Sequence, residues 1–484
     1  HRIAVRVPHD GDPAPAGDIE RARGREGDAG DLLEAGGERH ASLEEAVKRV
    51  EERVERAKLG EWIVGGGWDK NLWEGGGFPN KGDLDRVSPN NPVVLSSKDG
   101  HTLWVNSLAL SKASITRETP NPQGGEIGRD PETGEATGIL KENATRIVES
   151  VIPEPTVGRI EEALKPAIET AHTFGITSIH VPEGRKEFQA FQRLQAKGEL
   201  GLRVFMMIPA ESLQSAIKVG LTTGFGNERL RVGMLKLFAD GALGSQTAAM
   251  LEPYERDPKN RGIIATPEEE MRALMAKAST DGLGIAVHAI GDRANRMVLD
   301  IIEEVAETGS GRRVRYRVEH AQHLSPEDVE RFGRLGVIAS IQPVHISLDM
   351  DIADRHLGGR SRWAYPLRTL LDTGAKLTFG SDCPVMTMDP VLGIYTAVTR
   401  KRASGYPPGG WHPEERITVE EAVRAYTIDA AYASGEERIK GSIEVGKLAD
   451  MVVLSRNIFE VPEEDIPRAR VEMTVFAGEI VYEA

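Results

Sequence analysis

Cysteine is nearly absent from this sequence. Cys383 stands alone, so no intrachain disulfide can form. That usage fits a reducing compartment, and a cytoplasmic setting is expected. Long apolar runs are missing as well. None reaches the roughly 18 residues that a membrane helix needs, and residues 1–30 lack the apolar stretch of a signal peptide. Basic residues are in deficit, with 60 Lys+Arg against 75 Asp+Glu. The formal net charge of −15 argues against a nucleic-acid surface, which wants a basic excess. No His-x-His pair occurs anywhere. What is present, 39% hydrophobic and 28% charged residues, is the make-up of a soluble globular protein. The 484 residues exceed a single core, so a large and a small domain are expected.

Residues 1–40 are rich in Gly, Ala, Asp, Arg and Pro. Beyond the short apolar run Arg2–Val7 they lack periodicity, and they read as loop or disorder, or as part of the small domain. At Ser42 the texture changes. Ser42 and Glu45 form a capping box, Leu43, Val47, Val50 and Val54 make one helical stripe, and Gly60 supplies a stop. Residues 61–110 alternate apolar runs with glycine and include Asp99-Gly100-His101. Within 111–145, Asp130-Pro131 and Thr133-Gly134 are turn formers, so a hairpin is expected, either a flap that closes on a site or a plain surface excursion.

From 157 onward helices alternate with seven apolar strands: Ile176–His180, Leu202–Ile208, Val232–Phe238, Gly284–Ile290, Val314–His320, Val337–Gln342 and Lys376–Ser381. Thr266 with Glu269, and Ser325 before Pro326, mark helix starts among them. The rhythm argues a parallel α/β architecture, and a closed eight-strand barrel needs one more strand upstream. After 417 come a helix, TVEEAVRAYTIDAAYASG, and two β-hairpins, GSIEVGKLADMVVLSRNIF and RVEMTVFAGEIVYEA. The division read from this is 1–40, 41–416 for the barrel with its insertion, and 417–484 for the final helix and small β domain.

Chemistry collects at strand ends, where α/β barrels keep their sites. His288 and His320 close neighbouring strands, and Asp382 follows the last one. Imidazoles with a carboxylate suit Zn²⁺ or a similar divalent ion. Lys236 lies inside an apolar strand, where an ammonium is costly. Carboxylation of its amine would turn it into an anionic ligand; otherwise it snorkels to the barrel mouth. Asp382 reads either as a ligand that also carries a proton or as a helix N-cap. Asp240 and Gln342, also at strand ends, are candidate substrate contacts.

The stretches GWDKNLWEGG, KDGHTLWVNSLAL, DPETGEATGILKE, KLFADGALGSQTA, VHAIGDRA, VEHAQHL, FGSDCPV and GSIEVGKLADMVVL resemble the amidohydrolase superfamily. They are most similar to its amidohydrolase-3, YtcJ-like branch of metal-dependent hydrolases, which includes N-substituted formamide deformylases. The likeness runs from residue 42 to residue 484. It implies a (β/α)8 barrel with a small β-sandwich built from both chain ends. It also implies Zn²⁺ or another divalent metal, and hydrolysis of non-peptide C–N bonds in amides, formamides or cyclic amides. In that pattern Lys236 matches the bridging lysine of the fourth strand, His288 and His320 the histidines of the fifth and sixth, and Asp382 the aspartate of the eighth. His101 matches a histidine near the substrate. The superfamily's His-x-His pair on the first strand has no counterpart here. Two expectations follow: an active hydrolase of a small-molecule substrate, or a catalytically impaired member that only binds a metal or small molecule. Either is expected to hold about one ion per chain. No nucleic-acid or membrane partner is expected, and a homo-oligomer stays open.

Overall fold

The computed structural model describes residues 42–153, 155–308 and 314–484, so the expectations for residues 1–40 lie outside the described residues. The Ser42 hydroxyl accepts the Glu45 N–H at 3.2 Å and opens the helix Leu43–Val54, which buries Val47 and Val50. That helix ends well before Gly60. The Glu61 carboxylate accepts the Lys58 N–H at 2.8 Å, and Gly60 completes the turn at φ 78°. A side-chain cap of this kind closes the segment before another helical turn can form.

Five strands then build a mixed sheet: β1 (Ile63–Trp68), β2 (Val93–Ser97), β3 (Thr102–Val105), β4 (Gly125–Arg129) and β5 (Ala136–Glu142). Their order is β1-β2-β3-β5-β4, with β1 and β2 parallel and the rest antiparallel. Trp68, Trp73 and Trp104 pack ring on ring at 5.9–6.2 Å in its core. This fixes the loop after β1 and the loop between β2 and β3, which both reach the site.

The second sheet is the scaffold. β6 (Ser178–Val181), β7 (Arg203–Pro209), β8 (Leu230–Phe238), β9 (Ile285–Ala289), β10 (Tyr316–His320), β11 (Ile338–Ile341) and β12 (Lys376–Phe379) lie side by side in sequence order. All six pairings are parallel. Every described strand of the expected rhythm is present, and seven parallel strands with helical crossovers form a half-barrel consistent with a TIM-like fold. Central strands are buried throughout, as strands covered on both faces must be. The helix expected to open at Thr266 starts instead at Glu268, after Pro267, with no side-chain cap bond. Glu268, Glu269 and Glu270 meet the positive helix end there.

The third sheet is small and antiparallel: β13 (Met451–Leu454), β14 (Val471–Phe476) and β15 (Glu479–Glu483), in that order. The hairpin expected within 441–459 reduces to β13, which pairs with β14 rather than with its own upstream segment. The helix expected after 417 is two, Val419–Tyr426 and Ile428–Ala433, broken at Thr427. Arg203, first residue of β7, joins the sheets through a bidentate pair with Asp450 at 2.5 and 2.8 Å. Among the described residues no helix is long and apolar enough to cross a membrane.

A candidate metal centre at the strand ends

The side chains singled out in the sequence converge at the C-terminal ends of the parallel strands. Lys236 sits two residues before the end of β8, His288 one before the end of β9, His320 at the end of β10, and Asp382 just past β12. His288 and His320 rings are 4.5 Å apart, and the Lys236 ammonium lies 4.5 Å from the centre of the Phe238 ring, itself 5.4 Å from His288. His101 arrives from the loop before β3, its ring 5.0 Å from that of His288. Its Nδ1 is 2.9 Å from the Glu142 carboxylate at the end of β5.

Burial sets the charge states. It pushes the His320 imidazole down to about 3, against the opposing pull of Asp382. Burial, then the neighbouring His320, hold His288 well below the usual histidine range. Both rings are therefore neutral near pH 7, the protonation state in which an imidazole ligates a metal. Burial lowers the Lys236 ammonium to about 8, with Glu319 and Asp382 opposing. Burial also works to lower His101, but the Glu142 carboxylate outweighs it and the net shift is upward. The backbone is left-handed at His320 (φ 74°) and Asp382 (φ 55°). Such a conformation costs a non-glycine residue on the order of 1–3 kcal/mol, so the surrounding fold has to impose it.

A narrow cleft, partly open to solvent, leads to this cluster. His101, His320 and Asp382 line it, together with Asp69, Lys98 and Asp99. His345 lines it too, and the sequence reading missed it. This histidine sits in the short turn Pro343–His345 after β11, with its Nε2 3.2 Å from the Ser381 carbonyl. The only available signal was its place just beyond a strand end. One ligand atom each from His320, His345 and Asp382 lies within 4.8 Å of the others, which fits a single divalent ion.

Asp240 is placed differently from its reading as a substrate contact. It is fully buried, and its carboxylate accepts backbone N–H groups of Ala249 (2.8 Å), Ile290 (2.9 Å) and Gly291 (2.8 Å). Burial raises it to about 7 against those three donors. It braces the end of β9, and its Oδ1 lies 3.7 Å from His288 Nε2. Gln342 stays inside the fold, its amide donating to the Ser340 carbonyl at 3.3 Å, and neither residue lines the cleft.

The sequence profile of the amidohydrolase family matches residues 27–482. The chain belongs to that family. This amidohydrolase is 37% identical to the Protein LONG AFTER FAR-RED 3 of Arabidopsis thaliana, over 91% of this chain and 77% of that one. It is 33% identical to the putative amidohydrolase YtcJ of Bacillus subtilis, covering 91% of this chain and 84% of that one. Against the N-substituted formamide deformylase of Arthrobacter pascens the identity is 28%, over 92% and 83%. These relatives put the amidohydrolase in the YtcJ-like branch. Among solved structures, an uncharacterized metal-dependent hydrolase from Pyrococcus horikoshii superposes with a TM-score of 0.68 at 30% identity, over 88% of this chain and 82% of that one.

Proposed function

We propose that this amidohydrolase hydrolyses a non-peptide C–N bond in a small molecule, an amide, formamide or cyclic amide, with a divalent ion at the strand ends. The observation that carries the reading is the meeting of His288, His320, Lys236 and Asp382 at one end of the parallel sheet. The donor set suits Zn²⁺: neutral imidazoles, a carboxylate, and a lysine whose lowered basicity favours carboxylation. A bound ion would supply Lewis-acid polarisation of the carbonyl and an acidified water. Asp382 takes the proton released by attack and passes it to the departing nitrogen. His101, held by Glu142, orients the substrate at the cleft wall. The same reading extends the seven strands to a closed eight-strand barrel, pairs the small sheet into a β-sandwich, and places the protein in the cytoplasm.

A second reading is a family member that binds an ion or small molecule without turning it over. A panel of N-formyl amines, N-acyl amines and cyclic amides, assayed with Zn²⁺, Co²⁺ or Mn²⁺, separates the two. Hydrolysis that falls about 10²–10⁴-fold in Asp382→Asn supports the first. Ion binding with no turnover on any class supports the second.

A further inference from the structure

The family pattern assigns no ion ligand to the strand that precedes His345. The geometry does. His345 is buried, lines the cleft, and has its ring centre 6.3 Å from that of His320. Contact of its Nε2 with the Ser381 carbonyl pins the ring against the turn that carries Asp382. The mutual 4.8 Å limit for ligand atoms of His320, His345 and Asp382 is close to what one ion needs. Ligands on a tetrahedral Zn²⁺ with bonds of about 2.0–2.2 Å sit about 3.4 Å apart. His288 is placed less openly: its Nε2 is 3.1 Å from the Gly241 carbonyl, and its ring does not line the cleft.

We propose that His345 is a protein ligand of the ion, completing with His320 and Asp382 a one-ion site that does not depend on the first barrel strand. The site rests on the metal-dependent reading above but names a ligand that reading does not contain. All three ligands come from residues 320–382, on three consecutive strand ends. All three side chains line the cleft, which is partly open to solvent.

Cobalt titration of the full chain, followed by visible absorbance and elemental analysis, tests it. The wild-type chain should take up one Co²⁺ with the intense bands of a four-coordinate site. Loss of an outer partner of a ligand weakens binding about 10–100-fold, so His345→Ala should weaken it at least about 100-fold. His412→Gln, outside the cleft, should leave uptake unchanged. Should His345→Ala misfold, His345→Cys supplies the second test: a ligand at that position adds a sulfur-to-cobalt charge-transfer band. Cobalt uptake by His345→Ala equal to wild type, cobalt bound to His345→Cys without that band, or no uptake by the wild type overturns the assignment. Uptake that depends on His345 in a chain with no hydrolytic activity upholds the ligand and sinks the hydrolase reading alone.

Discussion

Two strands of similar apolar make-up meet opposite surroundings. β9 reads Ile-Ala-Val-His-Ala, and all five residues are buried. β13 reads Met-Val-Val-Leu, and its first three stand exposed. β9 is flanked by β8 and β10 and packed by the helix Asp292–Thr308. β13 is an edge strand, paired with β14 on one side. Apolar letters of this kind specify that a strand forms; cover is decided by what the rest of the chain lays against it. The parallel sheet receives a helix with every crossover, whereas the small sheet packs against one helix, Val157–Thr173, and has specific ties such as Arg203–Asp450 to the parallel strands.

The largest expected effect comes from cutting one of those ties. The Arg203–Asp450 pair is almost wholly buried. Removing one partner leaves a buried charge uncompensated, which typically costs about 3–5 kcal/mol. Arg203→Ala should therefore lower the denaturation midpoint strongly, and a loss below 1 kcal/mol would show that the small sheet docks without it. Next comes the contrast itself. Ile285 in β9 is 0% exposed and Val452 in β13 is 45% exposed. Ile285→Ala should cost about 2–5 kcal/mol, Val452→Ala no more than about 0.5 kcal/mol. Equal losses in urea melts would erase the distinction between the two sheets.

The smallest effect concerns acid. Burial holds His323 down to about 3 in the fold, whereas an unfolded histidine titrates near 6.5. Between those values the unfolded chain binds the extra proton, so stability falls as pH drops from about 6.5 toward 3. His323→Gln removes one such group, and its urea midpoint should decline less steeply than that of the wild type between pH 7 and 4.5. Parallel curves would mean that His323 is not held neutral by the fold. The small sheet has no histidine from 434 to 484, so this sensitivity belongs to the barrel sheet.

The parallel strands were legible because each is a short apolar run between helix signals. Val232–Phe238 and Gly284–Ile290 were read within two residues of β8 and β9. His288, His320 and Asp382 were legible for the same reason, since a strand end fixes where its side chain goes. His345 was not: a single turn past β11 brings it back toward the mouth, and no periodicity marks such a turn. The strand-end position of Asp240 was legible, but not the three backbone donors that hold its carboxylate, which come from Ala249, Ile290 and Gly291. The parallel pairing of β1 with β2 was also hidden, because sequence pattern carries no register for partners separated by a helix and loops.

The order of the parallel sheet has a consequence for synthesis. β6 to β12 neighbour one another in space in the order in which they leave the ribosome. Each emerging strand finds its partner already in place, so pairing needs no distant search. The candidate ligand side chains appear in the order Lys236, His288, His320, His345 and Asp382. A nascent chain halted after β11 and its turn presents imidazoles but not yet the carboxylate that closes the set. On the proposed reading the ion site is complete only once β12, the last strand of the parallel sheet, has docked, while the small sheet is still to be made.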